Sequence, residues 1–331
     1  MTAAAPIASG VYLRSLLAPL GAMMAREDVT DLYVNRPGEV WVETLGGAVE
    51  RHELPDLTEA TLARLARQVA AVSHQGISRE HPLLSATLPD GARVQIVAPP
   101  ATRGRMAIAI RKHVSADLTL ADYVADGAFR DVAARTSLQT DKVDQTLAAL
   151  LDRGDIAGML AAAVRARRTI LVSGGTSTGK TTFLNALLRE VPAEERLILI
   201  EDTPELQVDH ANMVGLLAAR SALGEAQVTA NDLVAASLRM RPDRIILGEL
   251  RGDEAYAFLR AVNTGHPGSM TTVHADSPQG AVEQIALLIL QGGTRLSLGD
   301  VVHYVRSVVG VYVQLGRTAG RRHVAEVVLA R

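Results

Sequence analysis

The chain has 331 residues, a formal net charge of −2 and no cysteine, so disulfides, thiol catalysis and cysteine zinc sites are excluded. Its length suits two domains, and the 48% of apolar residues supplies a buried core for each. The near-neutral charge and the 3% of aromatic residues argue against a surface that grips phosphate backbones or stacks single-stranded bases, so we do not expect direct nucleic-acid binding.

The first third of the chain, residues 1–113, predicts a small α+β domain. Leucines at helical spacing predict its first helix, which either packs on its own domain or touches a membrane surface; the sparse basic flank favours packing. Asp56 and Glu59 have the spacing of a capping box, which opens the second helix. The predicted elements are, in order, a helix over 11–24, a hairpin over 31–43, a helix over 56–73, and strands over 93–98 and 106–110.

Residues 114–155 predict a linker with one or two short helices, because the periodicity weakens into charged, alanine-rich sequence. Over residues 156–331, short apolar runs alternate with amphipathic helices, as a mostly parallel sheet with flanking helices requires. Two helices open on recognisable caps, one at Thr229 and one at Ser277. The predicted strands are 169–173, 197–201, 244–248 and 270–274, with helices over 182–189, 229–240, 253–263 and 278–291 and a terminal hairpin over 308–329.

A complete phosphate-binding loop follows the first strand of this second domain. Its pattern is GxxxxGKT, and the apolar strand before it and the amphipathic helix after it make the motif specific. Backbone N–H groups of the loop turn towards phosphate oxygens, Lys180 reaches the β- and γ-phosphates, and the Thr181 hydroxyl ligates Mg²⁺. The positive end of the helix dipole faces the same phosphates. The predicted ATP-binding residues are Gly174, Gly175, Thr176, Ser177, Thr178, Gly179, Lys180, Thr181 and Thr182.

Carboxylates and histidines follow the other predicted strands. Residues 201–205 place three carboxylates after one strand and Glu249 follows another, at the sheet edge where ligands bind in such folds. Acidic residues after a strand are often helix caps, but two such groups in a phosphate-loop domain favour catalysis. Hydrolysis needs one carboxylate to orient water, another at the metal, and a cation for the transition-state charge. His266 and His274, taken alone, fit structural roles better than catalytic ones.

The order of these motifs resembles the secretion ATPase superfamily, the motors of type II secretion, type IV pili and type IV secretion. Two spans are most similar to the type IV secretion branch, the VirB-eleven type: 238–252, LRMRPDRIILGELRG, and 263–277, NTGHPGSMTTVHADS. The resemblance covers nearly the whole chain. It is most specific over 170–291 and looser in the first domain, where residues 34–42 and 90–95 still match.

This resemblance implies a RecA-like C-terminal P-loop motor behind the smaller N-terminal domain, with six copies closing a ring and ATP held between the two domains. By the same resemblance, Glu205 positions the attacking water, Glu249 acts at the Mg²⁺ side, and His274 senses the γ-phosphate. Arg93 and Arg111 match arginines that reach the phosphates and act as fingers, although Arg111 also fits a plain strand-end charge. The expected cofactors are ATP and Mg²⁺, with Thr181 and Glu249 on the metal.

The function that the resemblance implies is a hexameric ATPase that energises pilus assembly and transfer of protein or DNA by a type IV secretion system. It implies a cytoplasmic protein peripheral to the inner membrane, with other secretion components as partners and membrane contact left open. The alternatives are a type IV pilus or type II secretion motor, a RecA-type DNA translocase, and a scaffold that binds ATP without turnover. Ser177 and Thr178 depart from the family's usual Gly and Ser, and the missing cysteines favour the type IV secretion branch or a pilus-retraction motor.

Overall fold

A computed structural model describes residues 9–112, 124, 142–219 and 224–330 of the protein. The N-terminal part is an antiparallel sheet of six strands in the order β3-β2-β1-β6-β5-β4. Its elements are α1 (Ser9–Ala25), β1 (Val29–Val34), β2 (Glu39–Thr44), β3 (Val49–Glu53), α2 (Glu59–Val72), β4 (Leu83–Thr87), β5 (Arg93–Val97) and β6 (Ala107–Arg111). The predicted α+β domain is confirmed, although the sequence did not predict β3 or β4.

The two N-terminal helices pack on one face of this sheet. Leu13 and Leu20 of α1 are fully buried in the same core as the apolar face of α2, so α1 packs on its own domain. The predicted capping box at Asp56 was wrong, because Thr58 is the N-cap and accepts a hydrogen bond from the Thr61 N–H at 3.1 Å. Leu57 and Leu62 flank that cap and are both buried, which fixes where the helix begins. No helix within the described residues is long and apolar enough to cross a bilayer.

The C-terminal part is a seven-stranded sheet in the order β13-β12-β7-β11-β10-β8-β9. Neighbouring strands from β12 to β9 run parallel, and β13 pairs antiparallel with β12, which confirms the mostly parallel sheet. The strands are β7 (Ile170–Gly174), β8 (Leu197–Glu201), β9 (Met213–Leu217), β10 (Arg244–Leu247), β11 (Met270–Val273), β12 (Val311–Thr318) and β13 (Arg321–Leu329). The sequence did not predict β9.

Helices cover both faces of this sheet. Alternate residues of a strand point to opposite sides, so an apolar strand needs a core on each face. Ile170 and Val172 of β7 lie in one core, and Leu171 lies in the other. The helices are α3 (Lys142–Asp152), α4 (Ile156–Arg165), α5 (Lys180–Leu188), α6 (Ala230–Ser237), α7 (Glu254–Asn263), α8 (Pro278–Gln291) and α9 (Leu298–Val308). α4 and α9 were not predicted. Of the predicted linker, α3 supplies one short helix, while residues 114–141 other than 124 lie outside the described residues.

The predicted caps of the C-terminal helices are confirmed. Thr229 and Asp232 form a complete capping box at the start of α6. Ser277 caps α8 by accepting a hydrogen bond from the Gly280 N–H at 3.0 Å, and Pro278 is the first helical residue. Short-range hydrogen bonds of this kind are encoded locally, so the sequence specifies them without knowledge of the tertiary structure.

Polar contacts join the N-terminal sheet to the C-terminal sheet. The buried Arg196 guanidinium stacks on the Tyr33 ring, 4.1 Å from its centroid, and donates to Asn35 Oδ1 at 2.7 Å. Arg241 Nη2 pairs with Glu43 Oε1 at 2.7 Å. Burial of Arg196 away from water lowers the pKa of its guanidinium to about 10. These polar contacts add to an apolar interface, because buried residues of both sheets share one hydrophobic cluster.

Candidate functional site

The phosphate-binding loop connects β7 to α5, as predicted. Gly179 has φ +95°, a left-handed conformation that glycine adopts without strain, and α5 begins at the next residue, two positions before its predicted start. Ser177 also has a positive φ, +62°, where a side chain costs about 1 kcal/mol or more. Thr178 Oγ1 donates to the Gly175 carbonyl at 2.9 Å, which braces the loop from within.

Lys180, the first residue of α5, reaches back under this loop. Its Nζ donates to the Gly174 carbonyl at 3.0 Å and lies 3.1 Å from His274 Nδ1 and 3.8 Å from Glu249 Oε1. Burial lowers the pKa of Lys180 below its ordinary value, and the charge of Glu249 opposes that effect. The ends of β7, β10 and β11 therefore deliver one cation, one carboxylate and one imidazole to the same place.

Glu205 approaches the loop from the other side. Its Oε2 accepts a hydrogen bond from Thr181 Oγ1 at 3.2 Å. Asn185 of α5 holds the same segment, because its Oδ1 accepts from the Gln207 N–H at 3.0 Å. The buried Glu201, the last residue of β8, also holds it: Oε1 accepts from the backbone N–H of Glu205 at 2.8 Å. The carboxylate of Glu205 thus lies beside the phosphate loop, although it is far from it in the sequence.

Two arginines that the sequence analysis did not assign also line this cavity of about 530 Å³. Arg251 Nη2 pairs with Glu249 Oε2 at 2.5 Å, and Arg251 Nη1 pairs with Asp202 at 3.0 Å, so it links the two acidic segments. Arg322 on β13 donates from Nε to the Ser177 carbonyl at 3.1 Å. Arg251 could have been found from its place two residues after Glu249, whereas Arg322 has no local signal. The cavity is lined by the loop residues Thr176 to Thr182 and by Glu201, Asp202, Glu205, Glu249, Arg251, His274 and Arg322, among others.

The predicted arginine fingers are placed elsewhere. Arg93 and Arg111 face each other across β5 and β6 and line a separate cavity with Leu238 and Arg239. Arg111 Nε donates to Asp31 Oδ1 at 3.0 Å, and its side chain is 53% exposed. Within one chain, these two arginines are therefore not brought into the cavity of the phosphate loop.

The cavity also offers oxygen ligands for a metal. Mg²⁺ prefers hard oxygen donors such as hydroxyl and carboxylate oxygens, and Thr181, Glu205 and Glu249 place such atoms around the loop. Glu249 Oε1 is buried, and among the described residues it receives no hydrogen bond, because His274 Nε2 lies 2.9 Å away outside hydrogen-bonding geometry. Lys180 Nζ at 3.8 Å is the cation near this oxygen but is too distant for a hydrogen bond, so the buried oxygen has capacity for a further cationic partner. These residues fit Mg²⁺.

A cavity of this composition, at the carboxyl edge of a parallel sheet and opened by a phosphate-binding loop, belongs to a phosphate-loop ATPase, and the protein is an enzyme of that class. Comparison with known proteins identifies the family. The model of the family described as Type II/IV secretion system protein matches residues 17–309, so the chain belongs to that family of secretion ATPases.

The relatives of this chain include VirB11 proteins of type IV secretion systems. The VirB11 protein of Brucella suis is 41% identical, with coverage of 94% of this chain and 88% of its own, and that of Bartonella quintana is 37% identical, with 94% and 91%. The PtlH homolog of Bordetella bronchiseptica is 38% identical, with 94% and 93%. The crystal structure of the Brucella suis VirB11 ATPase in complex with sulphate has a TM-score of 0.90 at 38% identity and covers 96% of this chain and 98% of its own. These similarities confirm the resemblance predicted from the sequence.

Proposed function

We propose that the protein is a ring-forming ATPase of six copies that hydrolyses MgATP to energise pilus assembly and the transfer of protein or DNA by a type IV secretion system. The observation that carries this proposal is the convergence of Lys180, Glu205, Glu249 and His274 on one cavity around the phosphate loop. The VirB11 relatives, which are named as type IV secretion proteins, support the choice of machine. We place the protein in the cytoplasm, at the inner membrane, beside other components of that machine.

The phosphate loop binds the nucleotide through backbone N–H groups and the N-terminus of α5. Lys180 donates to the β- and γ-phosphates in place of the Gly174 carbonyl that it now contacts. A bound phosphate is a stronger acceptor than a neutral carbonyl, because charge-assisted hydrogen bonds are about twice as strong. Binding therefore moves the ammonium of Lys180 towards the nucleotide. The sulphate in the crystal structure of the Brucella suis relative supports an anion site in this fold.

Glu205 orients the attacking water, because it is held beside Thr181 by backbone and side-chain contacts. Glu249 and Thr181 hold Mg²⁺, which neutralises charge on the phosphate oxygens. His274 lies between Lys180 and Glu249, so it reports whether the γ-phosphate occupies the space above them. The lining of one cavity by these residues supports the proposed roles.

Arg93 and Arg111 act on phosphates when copies of the chain assemble. Their cavity, which Leu238 and Arg239 also line, is separate from the phosphate loop of the same chain, so a neighbouring copy supplies the partner site. An arginine that approaches from a neighbour stabilises the transition-state charge and couples hydrolysis in one copy to the position of the next. The ring is then required for turnover as well as for transport.

The test is ATP hydrolysis per subunit, measured against protein concentration together with native mass, with Lys180→Ala as the blank. We expect the rate to rise with concentration and to reach a plateau as a sixfold mass appears. A full rate in the monomer would contradict the ring. A rate no higher than that of Lys180→Ala in an assembled ring would contradict the ATPase roles, and DNA-stimulated turnover at moderate salt would favour a DNA translocase instead.

A further inference from the structure

A short segment of the N-terminal domain pairs with the outer strand of the C-terminal sheet. Residues 101–103 belong to the connection between β5 and β6, and Thr102 forms an antiparallel bridge with Leu216 of β9. The Arg103 N–H donates to the Gly215 carbonyl at 3.0 Å, and the Leu217 N–H donates to the Ala101 carbonyl at 3.0 Å. The loop therefore lies along β9 as an added strand of three residues.

The side chain of Arg103 crosses β9 at Gly215. A Cβ atom at residue 215 would lie 2.3 Å from Arg103 Cδ, closer than any real contact allows. The glycine is needed here for space, because its backbone is in an ordinary strand conformation. Because Gly215 has no side chain, the guanidinium of Arg103 can pass β9 and reach the interior of the C-terminal domain.

Inside, the guanidinium of Arg103 meets the segment that carries Glu205. Nη1 donates to the Leu206 carbonyl at 3.0 Å, and Nη2 pairs with Oε2 of Glu201, whose side chain is 3% exposed. The other oxygen of that carboxylate, Oε1, accepts from the backbone N–H groups of Glu205 at 2.8 Å and Leu206 at 2.7 Å. One buried carboxylate thus joins an arginine of the N-terminal domain to the peptide of Glu205.

We infer that Arg103 is a positioning residue for hydrolysis, which acts through Glu201 to hold Glu205 beside Thr181. This inference rests on the proposed role of Glu205. Without the guanidinium, Glu201 would be a buried charge without its cation, and its carboxylate would turn towards water and release the two N–H groups. Because Arg103 belongs to the N-terminal domain, a movement of that domain changes the position of the water-orienting carboxylate.

A purely structural contact between the domains would have a different signature. Removal of such a contact would lower the free energy of unfolding and leave the turnover number of the folded enzyme unchanged. Removal of a positioning residue lowers kcat, while the phosphate loop keeps its affinity for ATP. A fall in kcat at unchanged ATP affinity therefore identifies a positioning residue, since small displacements of catalytic groups are costly in rate. A loss of unfolding free energy at unchanged kcat identifies a purely structural contact.

The experiment compares Arg103→Met, Arg103→Lys and Gly215→Ala in the full-length protein, with the exposed Arg105→Met as the matched control. We measure kcat by phosphate release and ATP affinity with a fluorescent ATP analogue. We expect kcat of Arg103→Met to fall about 10- to 100-fold with affinity changed less than about twofold, and Arg103→Lys to recover part of the rate. Gly215→Ala should shift the guanidinium and lower kcat without removing a charge, which covers the case in which Arg103→Met does not fold.

Glu205→Gln separates this inference from the proposed function. The positioning role alone would be overturned by one combination of results. In it, Arg103→Met and Gly215→Ala keep the kcat of Arg105→Met, while Glu205→Gln loses most of its kcat. An unchanged rate in Glu205→Gln would overturn the role of Glu205, and this inference with it. The combined variant Arg103→Met with Glu205→Gln should lose no more than Glu205→Gln does, because both changes act on one carboxylate.

Discussion

Lys180 Nζ lies 3.1 Å from His274 Nδ1, so the ammonium of the phosphate loop and the imidazole at the end of β11 are in direct contact. An ammonium only donates, and the ring nitrogen that faces it therefore accepts through its lone pair. When Lys180 donates to a nucleotide instead, His274 loses this donor. The contact couples the state of the loop to the position of the histidine.

His274→Gln tests this coupling. We expect kcat to fall by about 10- to 100-fold and the preference for ATP over ADP to shrink, because glutamine keeps a polar group but not the ring. Turnover and the two dissociation constants are measured on the assembled protein, with the exposed His303→Gln as control. Equal selectivity in His274→Gln and His303→Gln would remove His274 from γ-phosphate sensing.

Arg322→Ala tests the contribution of the terminal hairpin. The side chain lines the phosphate cavity and donates to the Ser177 carbonyl, so it braces the loop and adds positive charge near the nucleotide. We expect the dissociation constant for ATP to rise by about 5- to 10-fold. Arg321→Ala is the matched control, since neighbouring residues of a strand point to opposite faces. The prediction fails when the two variants bind ATP equally well.

Arg111→Ala tests the finger role. We expect nucleotide binding to be preserved and turnover to fall by about 10³-fold or more. Asp31→Asn is the control, because it breaks the ion pair of Arg111 and leaves the arginine in place. An equal loss of turnover in Asp31→Asn would show that Arg111 has a structural role.

A mixing experiment shows from which copy Arg111 acts. Arg111→Ala subunits keep the phosphate loop, and Lys180→Ala subunits keep the finger. If the arginine serves a neighbour's nucleotide, mixed rings contain some complete sites and hydrolyse ATP faster than either variant alone. A rate equal to the average of the two variants would place the finger in the same chain as its nucleotide.

His266 predicts a pH dependence of stability. Its Nδ1 lies 2.8 Å from the Pro242 carbonyl, and burial lowers its pKa below the ordinary value of 6.5. A group with a lowered pKa in the folded state contributes stability that is present above the unfolded value and is lost as pH falls through the folded value. We therefore expect the free energy of unfolding to fall below about pH 6.5.

Urea unfolding between about pH 7.5 and about pH 5 measures this effect. His266→Asn should show a shallower loss, because asparagine donates to the same carbonyl without titrating in this range. His81→Asn, at an exposed position, is the control and should follow the unmodified protein. Parallel pH curves for His266→Asn and the unmodified protein would contradict the prediction.

The sequence predicted the features that short-range rules determine. The phosphate loop, β8 and the Ser277 cap depend on neighbouring residues, and they were found at or within two residues of their places. β3 was missed because its residues are mostly polar and its burial alternates only between exposed and half-buried. β9 was missed because it is apolar without alternation and carries Gly215.

The parts of the site that were missed depend on contacts between distant segments. Arg103 and Glu201 are 98 residues apart, and Arg322 and Ser177 are 145 residues apart. Local patterns do not contain such pairings, because they arise only when one domain docks or one hairpin folds over a loop. The carboxylates were found more easily, since parallel strands bring their carboxyl ends to a common edge.

The pairing of residues 101–103 with β9 also protects the chain from aggregation during its synthesis. β9 is the outer strand of its sheet, and an uncovered outer strand offers free N–H and carbonyl groups to any other chain. The N-terminal domain leaves the ribosome first, so its loop is ready before β9 is made. A fragment of residues 142–330 would lack this cover, and we expect it to aggregate where the full-length protein stays dispersed.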